Sequence, residues 1–180
     1  IIDLIENGFD VVSLDSNIRS DHRMLNAVKA ITGKKVDNHA TDICHLPELR
    51  KVFAAHKDIV GIIHFAAFKS VPESVSNPLK YYGNNTCCTR NLLECCAAND
   101  VKHVIFSSTA AVYGVATDGL VREDSSLMPI NPYGTSKLMS EWMLRDLSAA
   151  TDLSHVVLRY FNVAGSDPQG RIGQSTRNAT

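Results

Sequence analysis

His103-Val-Ile-Phe-Ser-Ser-Thr109 reads as an apolar strand that ends in three hydroxyls. Asn131-Pro-Tyr-Gly-Thr-Ser-Lys137 reads as the start of an amphipathic helix, with a phenol and an ammonium four residues apart. A spacing of four puts Tyr133 and Lys137 on one helix face. Asn131 suits the cap and Pro132 the first turn, which places Tyr133 near the positive end of the helix dipole. A strand end rich in hydroxyls, followed by such a helix, sets the pattern for the rest of the chain.

The same alternation runs outward in both directions. Residues 10–15 form a short strand, Ser20 caps a helix to about residue 31, and Gly33 ends it. A weaker strand spans 36–41, and a helix over 46–56 tolerates Pro47 in its first turn. Ile59-Val-Gly-Ile-Ile-His-Phe65 is an apolar run of the kind needed by a sheet buried on both faces. Asn77-Pro78 opens a long helix to about residue 99, and His155-Val-Val-Leu-Arg-Tyr-Phe161 is the last strand. Short connections between alternating strands and helices predict an α/β fold with a doubly wound parallel sheet, Rossmann-like. Residues 115–130 carry turn formers and little periodicity, as a surface loop near the site would.

Residues 1–7 read as the end of a helix stopped by Gly8, with no strand before it, and the chain closes on a polar stretch. The expectation is a chain cut at both ends. Residues 1–165 would be a dinucleotide-binding domain without its first strand, and 166–180 the start of a substrate-binding region. A doubly wound sheet places its first strand centrally, between the second and the fourth. Its loss would leave two strands with unpaired backbone groups.

With 180 residues, 44% of them hydrophobic, the chain supports one domain with a real core. A net charge of −1 gives no field that favours nucleic acid or an anionic membrane, so a small molecule is the expected partner. No apolar run approaches the ~20 residues that span a bilayer, and no secretory pattern opens the chain. The five cysteines (Cys44, Cys87, Cys88, Cys95, Cys96) include two adjacent pairs and no C-x-x-C. They read as buried thiols in a reducing cytoplasm. The seven histidines lack ligand spacing, which argues against a metal site.

A free tyrosine with a pKa near 10 is only ~0.1% ionised at pH 7, and bringing it to ~7 takes roughly 4 kcal/mol of preference for the phenolate. A neighbouring ammonium and a cationic nicotinamide ring together supply a preference of that kind. Asp15 ends the first strand, where dinucleotide folds place an acid against the adenosine ribose, and a carboxylate there favours NAD over NADP. Reading it as a turn cap is about equally supported, and Arg19 slightly weakens the NAD preference. The glycine-rich phosphate loop is missing from the ten glycines. The close pair Gly170 and Gly173 lies in the polar tail. The loop is expected in a segment before residue 1.

Five stretches together resemble the UDP-glucose 4-epimerase family of the extended short-chain dehydrogenases/reductases. They are His64-Phe-Ala-Ala-Phe-Lys69-Ser-Val-Pro-Glu-Ser-Val75, Pro78-Leu-Lys-Tyr-Tyr-Gly-Asn84-Asn85, Ser107-Ser-Thr-Ala-Ala-Val-Tyr-Gly114, Asn131 to Lys137, and Arg159-Tyr-Phe-Asn162-Val-Ala-Gly165. The resemblance covers nearly the whole chain. It implies NAD as cofactor, a UDP-sugar as substrate and a homodimer formed through the two long helices, with Cys95-Cys96 and Trp142-Met143 as candidate contact surfaces.

By matching position, the resemblance implies that Asp15 and Asn17 meet the adenosine ribose and that Asp42 and Ile43 lie beside the adenine. Phe65, Ala66, Ala67, Lys69 and Asn84 would line the cofactor groove, and Phe161 would pack near the nicotinamide. Thr109 and Tyr133 would meet the sugar 4-hydroxyl, Lys137 would bridge to the nicotinamide ribose, and Lys69 and Asn162 would reach the substrate. The implied reaction removes a hydride from sugar C4 while Tyr133 takes the hydroxyl proton, then returns the hydride to the opposite face. Threonine at position 109, where many relatives carry serine, keeps the hydroxyl.

Several readings stand beside this one. A 4,6-dehydratase carries an acid pair after the strand-end threonine, where this chain has Ala110 and Ala111. A UDP-glucuronate or UDP-N-acetylhexosamine 4-epimerase differs mainly in segments beyond residue 166. A non-catalytic NAD-binding module is the alternative of a different class. The 180-residue chain by itself is expected to be inactive.

Overall fold

Every strand pairing in the computed structural model is parallel. The structure describes residues 1–18, 20, 23–116, 119–165, 167 and 169–173. Arg19 and most of the polar tail lie outside them. The order is α1 (Ile2–Glu6), β1 (Val12–Asp15), α2 (Arg23–Thr32), β2 (Asp37–Ala40), α3 (Leu46–Ala55), β3 (Gly61–His64), α4 (Val71–Ser76), α5 (Pro78–Tyr81), α6 (Cys88–Ala98), β4 (His103–Thr109), α7 (Pro132–Ala150) and β5 (Ser154–Tyr160). This is the strand–helix alternation of a Rossmann-like α/β fold.

The strands form two sheets, β1-β2 and β3-β4-β5. Correspondingly, the chain divides into two units, Ile1–Asp42 with Asn162–Thr180, and Ile43–Phe161. Among the described residues β1 pairs only with β2, and β3 only with β4. One edge of each is therefore without a ladder among the described residues.

In the first unit, Ile5, Val28 and Val36 form the core, with Ile2, Val11 and Leu25 packed against them. Gly8 and Gly33 end α1 and α2 with positive φ, where a side chain would be strained. Ser20 donates its hydroxyl to Asp15 Oδ1 (2.7 Å), and the cap expected of it falls at positions outside the described residues.

In the second unit, the apolar run of β3 was expected to be buried on both faces. It is not: Ile63 and Phe65 are exposed, and only His64 of the strand is buried. As an edge strand among the described residues, β3 has covering elements for only part of its surface.

The helix expected from Pro78 to about residue 99 is interrupted by a π turn, Tyr82–Cys87. This turn shifts the backbone register, and side-chain hydroxyls serve the displaced carbonyl. Asn85 C=O accepts from the Thr89 hydroxyl (2.6 Å) and the Ser140 hydroxyl (3.2 Å). Helix α4 was not expected, yet Ser70 and Glu73 have capping-box spacing, and Ser70 Oγ accepts from Glu73 N–H.

The cysteines also depart from expectation. Cys44 and Cys88 form a disulfide with Cα atoms 4.4 Å apart. The two are separated by 44 positions, so no local spacing announces the pair. Cys87 is free and exposed, while Cys95 and Cys96 are free and buried. That burial removes Cys95-Cys96 as a contact surface, because both point into the packing of α6. No helix among the described residues is long and apolar enough to cross a membrane.

Candidate active site

Three consecutive residues of β4 are tied to three different residues of α7. The Ser107 carbonyl accepts from Lys137 Nζ (2.7 Å), the Ser108 hydroxyl donates to Glu141 Oε1, and the Thr109 hydroxyl faces the Tyr133 phenol and lowers its pKa. Tyr133, Lys137 and Glu141 recur every four residues, so a single helix face meets the strand end. Asn131 caps α7 as its sequence promised, accepting from Gly134 N–H (2.9 Å).

The position of α7 depends on a close approach at Gly134. A Cβ there would meet Ala111 O at 2.6 Å and Pro129 Cβ at 3.0 Å. The helix start therefore lies directly on the short 3₁₀ turn, Ala110–Val112, that follows Thr109. Thr109 Oγ1 caps that turn by accepting from Ala111 N–H (3.1 Å), which leaves its proton free to donate. The phenol ring stands edge-on to Tyr81, with centroids 6.4 Å apart.

Burial raises the Tyr133 pKa above its ordinary value, and the Thr109 hydroxyl pulls it partly back. The Lys137 ammonium is held by partners other than the phenol. It is buried, bonded to the β4 backbone and seated over the Phe106 ring at 4.8 Å. Burial lowers the Lys137 pKa to about 8, and the Glu141 carboxylate opposes that fall. His64 lies behind the lysine, buried and hydrogen-bonded to Thr89 (3.0 Å). Burial first, and then the Lys137 charge, push its pKa down to about 3, so it is neutral at any physiological pH.

Residues that the sequence did not single out hold this cluster in place. Arg159 of β5 grips Glu141 through Nε (3.2 Å to each oxygen) and Nη2 (2.8 Å). Its Nη1 reaches the Tyr113 hydroxyl and the Glu123 carbonyl, both at 3.0 Å, which ties the loop after β4 to β5. Buried Asn85 accepts from Phe68 N–H and donates to the Phe68 carbonyl and Ser136 Oγ. It thereby pins the 65–69 segment to α7.

Among the expected site residues, the structure brings Thr109, Tyr133 and Lys137 together. In the same unit, Phe65 follows β3 and Phe161 follows β5, so two exposed aromatic rings flank the carboxyl end of β4. Ala66, Ala67 and Lys69 occupy the segment after β3, and Ile43 is buried at the start of this unit. Asn84 Nδ2 donates to Asn85 Oδ1 (2.9 Å). Asp15, Asn17, Asp42 and Asn162 belong to the other unit.

The donor set around Asp15 suits a vicinal diol. Its Oδ1 accepts from Asn17 N–H and from the Ser20 hydroxyl, each at 2.7 Å, while Oδ2 accepts no bond among the described residues. Asn17 has φ 57°, a conformation that asparagine tolerates.

Residues 2–179 match the family described as the NAD dependent epimerase/dehydratase family. The UDP-glucose 4-epimerase of Azospirillum brasilense is 52% identical over 139 residues, which is 77% of this chain and 40% of that protein. That of Bacillus subtilis is 44% identical over 174 residues, 96% of this chain and 51% of that protein. The Bifidobacterium longum UDP-glucose 4-epimerase, solved with NAD+ and UDP, superposes with a TM-score of 0.92 at 39% identity, covering 98% of this chain and 53% of that one. The UDP-Glc/GlcNAc 4-epimerase of Campylobacter jejuni superposes with a TM-score of 0.87 at 40% identity, covering 99% and 54%. The chain spans about half the length of the curated relatives it matches.

Proposed function

The chain belongs to the NAD dependent epimerase/dehydratase family, and from that premise we propose that the whole protein inverts C4 of a UDP-hexose, interconverting UDP-glucose and UDP-galactose. The observation that carries this reading is the hydroxyl pair of Thr109 and Tyr133 at the end of β4, with the Lys137 charge buried behind it. Relatives at 39–52% identity bear that activity in their names.

NAD, when bound, supplies a reversible acceptor for the C4 hydride. Asp15 and Asn17 are assigned to its ribose hydroxyls, and Asp42 and Ile43 to the adenine edge. Phe65, Ala66, Ala67, Lys69, Asn84 and Phe161 line its groove, and Lys69 and Asn162 extend toward the substrate. Tyr133 Oη accepts the proton of the sugar 4-hydroxyl and later returns it. Thr109 holds the sugar oxygen by a hydrogen bond in both directions of transfer. Because burial keeps the unaided phenol protonated, its ionisation depends on positive charge arriving with the ligands, and Lys137 adds to that field.

A dehydratase needs a second acid–base pair for elimination. Ala110 and Ala111 have no side chain that moves a proton, which favours epimerisation. The test has two steps on purified whole protein. Ligand released by denaturation is expected to absorb as a dinucleotide, and UDP-galactose is expected to convert to UDP-glucose without added oxidant. A protein that binds dinucleotide and converts neither sugar would be a binding module.

A homodimer completes the proposal. Trp142 and Met139 are exposed on α7, as a helix-pair interface requires. Trp142→Glu is expected to halve the mass measured by sedimentation, and an unchanged mass would remove α7 from the interface.

A further inference from the structure

Glu141 is a buried carboxylate to which the proposed reaction assigns no task. It accepts three contacts from the Arg159 guanidinium and one from the Ser108 hydroxyl. Ser108 lies between Ser107, whose carbonyl receives Lys137, and Thr109, whose hydroxyl meets Tyr133. Glu141 also follows Lys137 by one helical turn. Its side chain therefore sets the register of the strand end and faces the buried ammonium.

We propose that Glu141 is a positioning residue for the Thr109–Tyr133–Lys137 cluster: clamped by Arg159, it fixes β4 against α7 and supplies the negative charge that offsets Lys137. The inference rests on the epimerase reading only for its effect on turnover. Arg159 extends the same clamp to Tyr113 and the Glu123 carbonyl, so strand, helix and the following loop share one ionic centre. The charged and titratable groups around Lys137 are Tyr133 and Glu141 on its own helix, His64 on β3, Arg159 on β5 and Tyr81 on α5. His64 is neutral and Arg159 is engaged by Glu141. Glu141 is therefore the group here whose charge holds the proton on Lys137.

Glu141→Gln keeps the shape and an oxygen for Ser108 but removes the charge. In the whole protein, the Lys137 Cε resonance is followed against pH by NMR, and turnover is measured per bound dinucleotide. The Lys137 midpoint is expected to fall by about one pH unit. Turnover at pH 7 is expected to drop roughly tenfold at unchanged KM. A purely structural role would reduce the active fraction and leave the midpoint in place.

Should Glu141→Gln fail to fold, the pair Glu141→Leu with Arg159→Met replaces the ion pair with apolar groups, a change that buried pairs often tolerate. It is expected to show the same lower midpoint and lost turnover. A parental midpoint in the folded variant overturns the inference, as does parental turnover. If the parent converts no UDP-hexose, the epimerase reading fails and the lysine titration alone decides the role of Glu141.

Discussion

Tyr133→Phe is expected to lower UDP-hexose turnover roughly a thousandfold, within the range ascribed to a positioned acid–base group, while leaving the dinucleotide bound. The substitution is unusually clean at this site. The ring keeps its edge-on contact with Tyr81, and the helix start keeps its Asn131 cap and its approach to Ala111. Only the hydroxyl is lost, and its partner is the Thr109 hydroxyl. One such hydrogen bond contributes about 1 kcal/mol, so the variant should melt within a few degrees of the parent. Turnover per bound dinucleotide is the measurement. A variant that retains more than a tenth of parental turnover would remove Tyr133 as the proton acceptor, whatever its stability.

Burial raises the phenol's pKa, and that fixes what this variant reports. A tyrosine acidified by the protein alone would ionise in the free enzyme at neutral pH. Here the folded protein favours the protonated phenol. The ultraviolet signature of tyrosinate should therefore be missing from dinucleotide-free protein at pH 7. Lys137 occupies the same helix face as the phenol. Shared facing does not fix where a long side chain ends, and Lys137 turns inward to the Ser107 carbonyl.

The same limit separates what the chain revealed from what it concealed. Strand and helix positions were legible because the two periods differ and because Asn131, Pro132, Gly8 and Gly33 mark their ends locally. Thr109, Tyr133 and Lys137 were legible because each lies at such a marked end. Arg159 lies 18 positions from Glu141, and Cys44 lies 44 from Cys88. Neither pair has a local pattern, since tertiary packing alone brings them together. The π turn was hidden for a related reason: its compensating hydroxyl on Ser140 comes from another helix. The open edge of β3 defeated the burial reading because hydrophobicity records what a strand can bury, not which neighbours are present.

Lys137→Met should reduce turnover at least a hundredfold and, at the same time, raise stability at pH 7. The unfolded lysine titrates near its ordinary 10.5, while burial brings the folded value to about 8. Below pH 8 both states carry the proton, and the folded state bears the full cost of a buried charge. At roughly 1.4 kcal/mol per pH unit, that cost is about 3 kcal/mol. Between pH 8 and 10.5 the folded state binds fewer protons than the unfolded one, so parental stability rises through that window. Methionine occupies the same channel over Phe106 without a charge. Against this gain, the Ser107 carbonyl loses its partner, which costs about 1 to 3 kcal/mol. The variant should therefore be ahead by at most about 2 kcal/mol at pH 7. That lead should shrink as the pH rises toward 10.5 and then reverse, because the parent sheds its penalty and the variant has none to shed. Denaturant melts of both proteins at pH 7 and pH 10 measure the difference. If the gap between them does not change with pH, Lys137 is not a buried cation. If the variant keeps its turnover, the charge behind Tyr133 has no part in the chemistry.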